Sequence, residues 1–326
     1  MSEDTMSGHT MRAVTIGEFG GPEVLTVAEV ARPEPLPTEV LVRVHAAGVN
    51  PVDWKTREGN GMAGLQTFPL ILGWDVSGVV EEVGFGVTTL APGDEVYGMP
   101  WFPRAANAYA EYVTAPARQW ARKPATLDHV HAAAVPLAAL TAWQTVAETA
   151  DVQSGQRVLI TAAAGGVGHF AVQFARHLGA QVIATAGAAR HPWLKQLGAD
   201  ETIDYSSTRF EHAADAVDVV IDLVGDAHDR TSTRSLEVLR PGGLLVAVPA
   251  GVSPELAAAA RAAGVRVTPY LVEPDGTALT TIAGLIDAGE VVVEVAETFP
   301  LEQAGAAHTR GEAGRTRGKL VLTVAD

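Results

Sequence analysis

Residues 157–180, RVLITAAAGGVGHFAVQFARHLGA, constrain the fold more than any other stretch. Val158, Leu159 and Ile160 form a short apolar run of the kind a covered parallel strand needs. Gly165, Gly166 and Gly168 follow, and Val167, Ala171, Phe174, Ala175 and Leu178 then recur at helical spacing up to the helix stop expected at Gly179. A strand, a turn without side chains and a helix N-terminus converge backbone N–H groups on one point, which suits a pyrophosphate. The segment therefore predicts a dinucleotide site that uses Ala164, Gly165, Gly166, Val167 and Gly168. Ala162 stands where the stricter fingerprint has its first glycine.

The next apolar run, QVIAT, ends at Thr185, about twenty residues past the turn, where NAD-binding chains place an acidic residue on the ribose hydroxyls. Thr185, Ala186 and Gly187 offer no carboxylate to repel a 2′-phosphate, and Arg190, Lys195 and Tyr205 follow. Arg190 and Tyr205 are the expected phosphate contacts, and NADPH is the expected cofactor.

A chain of 326 residues with 47% hydrophobic residues predicts about two domains. A formal charge of −15 with no basic run argues against a nucleic-acid partner. No apolar span approaches twenty residues and the first ten are polar, so the expectation is a cytoplasmic protein with no membrane partner and a mobile tail over 1–10. The absence of cysteine rules out disulfides, thiolate nucleophiles and cysteine-ligated zinc. The ten histidines form no H-x-x-x-H pattern, and a reaction without metal is the expectation.

Residues 11–131 read as short strands broken by Gly, Pro and Asn turns. Over 132–271 strands alternate with helices (RVLIT, QVIAT, ETIDY, AVDVVIDLV, LLVAVPA, VRVTPY), the pattern of a doubly wound parallel sheet. Residues 272–326 have too few strands for a sheet of their own and are expected to return to the first domain.

These segments together resemble the zinc-independent branch of the medium-chain dehydrogenase/reductase superfamily, the quinone oxidoreductase and alkenal/enone reductase group. The resemblance rests on AAGVNPVDWKTREG (46–59), GWDVSGVVEEVG (73–84), PGDEVYG (92–98), AYAEYV (108–113), LTAW (140–143), AAAGGVG (162–168), LGADETIDY (197–205), LRPGG (239–243) and RGKLVL (317–322). It implies an α/β fold in which a GroES-like β-barrel catalytic domain, 11–131 and 272–326, is interrupted by a Rossmann domain, 132–271. It also implies a homodimer, and 265–270 reads as an exposed edge strand that could pair. Asn50 and Trp74 stand where zinc-dependent relatives carry a cysteine and a histidine ligand.

Without a Lewis acid, hydride delivery to an already electrophilic carbon is the favoured chemistry. The resemblance implies NADPH-dependent reduction of a quinone or an enone, with Lys55 and Asn50 as catalytic residues. It adds Thr141, Val224 and Val248 to the cofactor contacts, and Trp54 and Trp101 are expected to wall the substrate pocket. Asp53 is expected to orient its loop by hydrogen bonds. The alternative is an NADPH-binding sensor or structural protein of the same fold that does not turn over.

Overall fold

The computed structural model describes residues 10–214, 216–227, 229–249 and 251–325. The expected tail lies outside the described residues except for Thr10, which opens the first strand. The chain divides into two compact units, Met1–Leu140 with Glu273–Gly289 and Val293–Asp326, and Thr141–Val272 with Glu290–Val292.

The first unit begins with β1 (Thr10–Ile16) and β2 (Thr26–Ala31), an antiparallel pair. Strand β3 (Glu39–Val49) follows, then helix α1 (Pro51–Arg57), β4 (Leu70–Ile71), β5 (Asp75–Val83), β6 (Glu95–Gly98), β7 (Tyr112–Pro116) and β8 (Trp120–Arg122). Strand β3 is buried along nearly its whole length because β5 and β7 both pair with it. Its valines Val40, Val42 and Val44 pack with Val76, Val96 and Val113 in the core of this unit. Helices α2 (His129–Ala133) and α3 (Pro136–Trp143) follow, with Asp128 capping α2 by accepting from the His131 N–H at 2.8 Å.

The second unit alternates strand and helix: β9 (Arg157–Ile160), α4 (Gly166–His177), β10 (Gln181–Thr185), α5 (His191–Leu197), β11 (Glu201–Ile203), β12 (Val217–Asp222), α6 (Thr231–Ser235), β13 (Leu239–Ala247), α7 (Pro254–Ala263) and β14 (Arg266–Pro269). All six expected strands form, in the parallel order β11-β10-β9-β12-β13-β14. Strand order reverses between β9 and β12, the switch point at which such sheets bind ligands beyond the carboxyl ends of their strands. Leu159, Ile183, Val220 and Leu245 are almost wholly buried under the covering helices.

The remaining elements are α8 (Gly276–Asp287), β15 (Val295–Pro300), α9 (Ala304–Glu312) and β16 (Lys319–Thr323). Strand β16 pairs with β3, and β15 with β16, so the C-terminal segment joins the first unit's sheet. The division falls at Leu140/Thr141, nine residues beyond the composition shift at 131/132, because α2 lies on β3 and β5, with Ala132 and Ala133 fully buried. Residues 290–292 belong to the second unit because Gln173 of α4 holds both backbone groups of Val292, at 2.7 and 3.0 Å.

Candidate active site

In the second unit, β9 runs through Thr161 into the glycine turn, and Gly165 caps α4 with extended backbone. The first-turn N–H groups of Gly166, Val167 and Gly168 have no acceptor within the helix, and the helix dipole adds partial positive charge there. Gly168 is obligatory: a Cβ would lie 2.5 Å from the Ala162 carbonyl oxygen and 2.6 Å from the Ala163 Cα. Ala162, where a glycine was the alternative, adopts φ +47°, so the methyl is accommodated in a left-handed conformation. The cradle fits a pyrophosphate on its own geometry.

Strands β10 and β11 end side by side, with Thr185 opposite Ile203 and the Ala186 N–H donating to the Ile203 carbonyl at 3.0 Å. Gly187 and Arg190 leave the end of β10, and Tyr205, 65% exposed, leaves the end of β11, so the structure brings these three to one edge of the sheet. Lys195 sits exposed on α5. Thr141 is buried in α3. Val224 and Val248 follow β12 and β13 at the carboxyl edge, and both are tied to Asp222, a residue the sequence reading passed over.

In the first unit, Asn50 opens α1 and is buried. Its backbone N–H donates to Asp53 Oδ2 at 2.6 Å and its carboxamide nitrogen to Asp75 Oδ2 at 2.8 Å. Its carboxamide oxygen accepts from Lys319, whose Nζ also reaches the Val49 carbonyl at 3.1 Å and Asp75 at 3.2 Å. Asp75 Oδ1 accepts from the Leu137 N–H at 2.6 Å. Gly48 is required beside this cluster, because a Cβ would meet the Ala133 carbonyl at 2.4 Å. Asp75 and Lys319 are further residues the sequence reading missed. Their signal was two charged residues inside otherwise apolar strand patterns, which calls for a buried pair.

Asp53 is fully buried, and burial pushes its carboxyl up to about 7, with nearby Asp75 adding to the rise and the Asn50 N–H, Lys319 and Tyr109 opposing it. The Tyr109 hydroxyl donates to Asp53 Oδ2 at 3.1 Å, while Oδ1 has no partner among the described residues. His308 lies behind Tyr109, at 3.2 Å from its oxygen through Nε2, and Arg57 donates to His308 Nδ1 at 3.2 Å. Burial, with help from Arg57, lowers His308 to about 3. The ring is therefore neutral at pH 7, and because guanidinium can only donate, the ring proton is on Nε2. Asp53 orients the start of α1 as expected, and this chain of side chains orients Asp53.

Lys55, one turn into α1, is exposed, and its ammonium has no hydrogen bond or ion pair among the described residues. Trp54, half-buried, meets His308 edge to face at 6.2 Å. Trp101 donates through Nε1 to the Thr114 carbonyl at 2.8 Å and lines a cavity of about 270 Å³ together with Met11, Val30, Ile71 and Tyr112. Trp54 is not part of that lining, so the two tryptophans do not share this cavity.

Comparison with known proteins extends this picture over the whole chain. Residues 36–125 match the alcohol dehydrogenase GroES-like domain and residues 197–322 the zinc-binding dehydrogenase family. A 2-methylene-furan-3-one reductase from Solanum lycopersicum is 34% identical over 96% of this chain and 79% of its own length. The chain belongs to the medium-chain dehydrogenase/reductase superfamily, in its quinone and alkenal/enone oxidoreductase group. Within that group, an NADPH-dependent alkenal/one oxidoreductase of Arabidopsis thaliana, a chloroplastic protein, is 33% identical over 96% of this chain and 79% of its own length. The solved structure of the quinone oxidoreductase from Coxiella burnetii superposes with a TM-score of 0.91 at 38% identity, covering 97% of this chain and all of that one. Although one matching superfamily model is named for zinc binding, no group of three or more potential metal ligands is clustered among the described residues. No described helix is long and apolar enough to cross a membrane.

Proposed function

We propose that this medium-chain reductase transfers hydride from NADPH to the electrophilic carbon of an α,β-unsaturated carbonyl compound or a quinone. The observation that carries the reading is the α4 N-terminus, open to an anion through Gly166, Val167 and Gly168 and set at the switch point of a Rossmann sheet. NADPH, when bound, supplies the hydride. The backbone N–H groups of the glycine turn hold its pyrophosphate, Arg190 and Tyr205 hold the 2′-phosphate, and Thr141, Thr185, Gly187, Val224 and Val248 shape the rest of its bed.

In the first unit, Lys55 is the unpaired cation on α1 and supports the oxygen that becomes negative as hydride adds to the β-carbon. The α-carbon of the resulting enolate then takes a proton from water, completing the saturated carbonyl compound. Asn50 fixes the helix turn from which Lys55 projects, and Trp54, next to Lys55 on the same helix, offers an apolar face to the substrate. The edge strand β14 supports assembly as a homodimer, and sedimentation as a monomer at assay concentration would contradict that part. A cytoplasmic location is part of the same proposal.

Steady-state oxidation of NADPH in the presence of enones and quinones tests the reading. A donor that acts mainly in the transition state shows in kcat, so Lys55→Met is expected to slow enone reduction by roughly 10²-fold, with NADPH affinity changed less. Quinones, which accept hydride more readily, are expected to lose less. An unchanged enone rate in Lys55→Met would remove Lys55 from the mechanism. NADPH binding with no turnover of any acceptor would favour a sensor or structural role.

A further inference from the structure

Asp222, the last residue of β12, is fully buried and beyond the reach of any ligand, yet it accepts a dense set of hydrogen bonds. Its Oδ1 takes the Thr161 hydroxyl at 2.9 Å and the N–H groups of Val224 and Gly225 at 2.9 and 3.2 Å. Its Oδ2 takes the Gly225 N–H at 3.2 Å and the Ser232 hydroxyl of α6. Its backbone carbonyl takes the Val248 N–H at 3.1 Å. Thr161 answers by accepting the Leu223 N–H at 2.8 Å. One side chain thus ties together the carboxyl ends of β9 and β12 and the start of α6, while the bond to Val248 is an ordinary main-chain link between β12 and β13.

These ends form one side of the switch point. The expected 2′-phosphate contacts, Arg190 and Tyr205, leave the other side through β10 and β11, so the adenosine half of a dinucleotide lies there. The nicotinamide half then lies over β12 and β13, where the Asp222 side chain holds the N–H groups of Val224 and Gly225 and Thr161 holds that of Leu223. We propose that Asp222 is a positioning residue for the nicotinamide half of the cofactor, its side chain setting the turn after β12 without touching the ligand. The proposal rests on the cofactor reading above and goes beyond it in dividing the bed into two halves with separate supports.

Asp222→Asn keeps the shape but turns an acceptor into an NH₂ group facing the Gly225 N–H or the Ser232 hydroxyl. Thr161→Val keeps volume and removes both hydroxyl bonds, and Thr161→Ser restores them. Binding of NADPH, NADH and adenosine 2′,5′-bisphosphate to each purified variant is the test, because the bisphosphate reports the adenosine half alone.

The expected result for Asp222→Asn is that NADPH and NADH both weaken by about tenfold, a difference of about 1.4 kcal/mol, while the bisphosphate stays within about twofold of the parent. Thr161→Val is expected to move in the same direction by about threefold, and Thr161→Ser to match the parent. Equal weakening of the bisphosphate would show only a general loss of structure and would overturn the proposal, as would NADPH affinity unchanged in both Asp222→Asn and Thr161→Val. Failure of the parent protein to bind NADPH would instead refute the cofactor reading itself.

Discussion

Two carboxylates, Asp53 in the first unit and Asp222 in the second, are equally removed from water and are treated oppositely by their surroundings. Asp222 satisfies both oxygens with hydroxyl and backbone donors. Asp53 has one oxygen satisfied by the Asn50 N–H and the Tyr109 hydroxyl and the other left without a partner, with Asp75 nearby. A buried charge is tolerated in proportion to the donors aimed at it. The second unit therefore carries a carboxylate whose two oxygens are both bonded and serve as a brace, whereas the first unit carries a group whose proton comes and goes near neutral pH.

The largest effect expected from this contrast is on stability against pH. The native Asp53 carboxyl titrates at about 7, and an unfolded aspartate near 4, so between these values the native state holds a proton that the unfolded chain has released. The contribution of this site is fully favourable below about 4 and is lost as pH rises through 7, at a slope approaching 1.4 kcal/mol per pH unit within the window. Asp53→Asn keeps an oxygen for Asn50 and Tyr109 and abolishes the titration. Denaturant unfolding of both proteins at several pH values is expected to show the parent losing stability relative to the variant over that window. Parallel pH profiles would mean that the native and unfolded carboxyl titrate alike.

A smaller effect separates the two edges of the second unit. Arg190→Ala removes a charge-assisted contact worth about 1.5–3 kcal/mol, so NADPH is expected to weaken by at least about tenfold while NADH changes little. Equal losses for the two cofactors would detach Arg190 from the 2′-phosphate. The smallest effect concerns Ala162, whose φ of +47° disfavours any side chain. Ala162→Gly relieves about 1 kcal/mol of left-handed strain but adds backbone freedom to the unfolded chain, so its thermal midpoint is expected to differ from the parent by no more than a few degrees. A large loss would mean that the Ala162 methyl is itself a packing group.

The two units also differed in how far the sequence disclosed them. In the second unit the signals are local: an apolar run, a glycine turn and an amphipathic helix are adjacent in the chain, and the central strands β9, β12 and β13 contain continuous apolar stretches. Asp222 was passed over because its role depends on Thr161, sixty-one residues away, and on backbone N–H groups that carry no residue identity. In the first unit the chemistry is assembled from distant segments. Lys319 meets Asn50 across 269 positions and His308 meets Arg57 across 251, so no spacing rule could join them. The division after Leu140 likewise depends on how α2 lies on β3 and β5, which composition does not register.

The central claim is that hydride passes from NADPH to a carbon made electrophilic by conjugation. NADPH deuterated at its transferable nicotinamide hydrogen, turned over with an α,β-unsaturated ketone, is predicted to give a saturated ketone with deuterium at the β-carbon and one NADP⁺ for each molecule of product. Deuterium at the carbonyl carbon of an allylic alcohol, or retention of all the label in unconsumed cofactor, would contradict it.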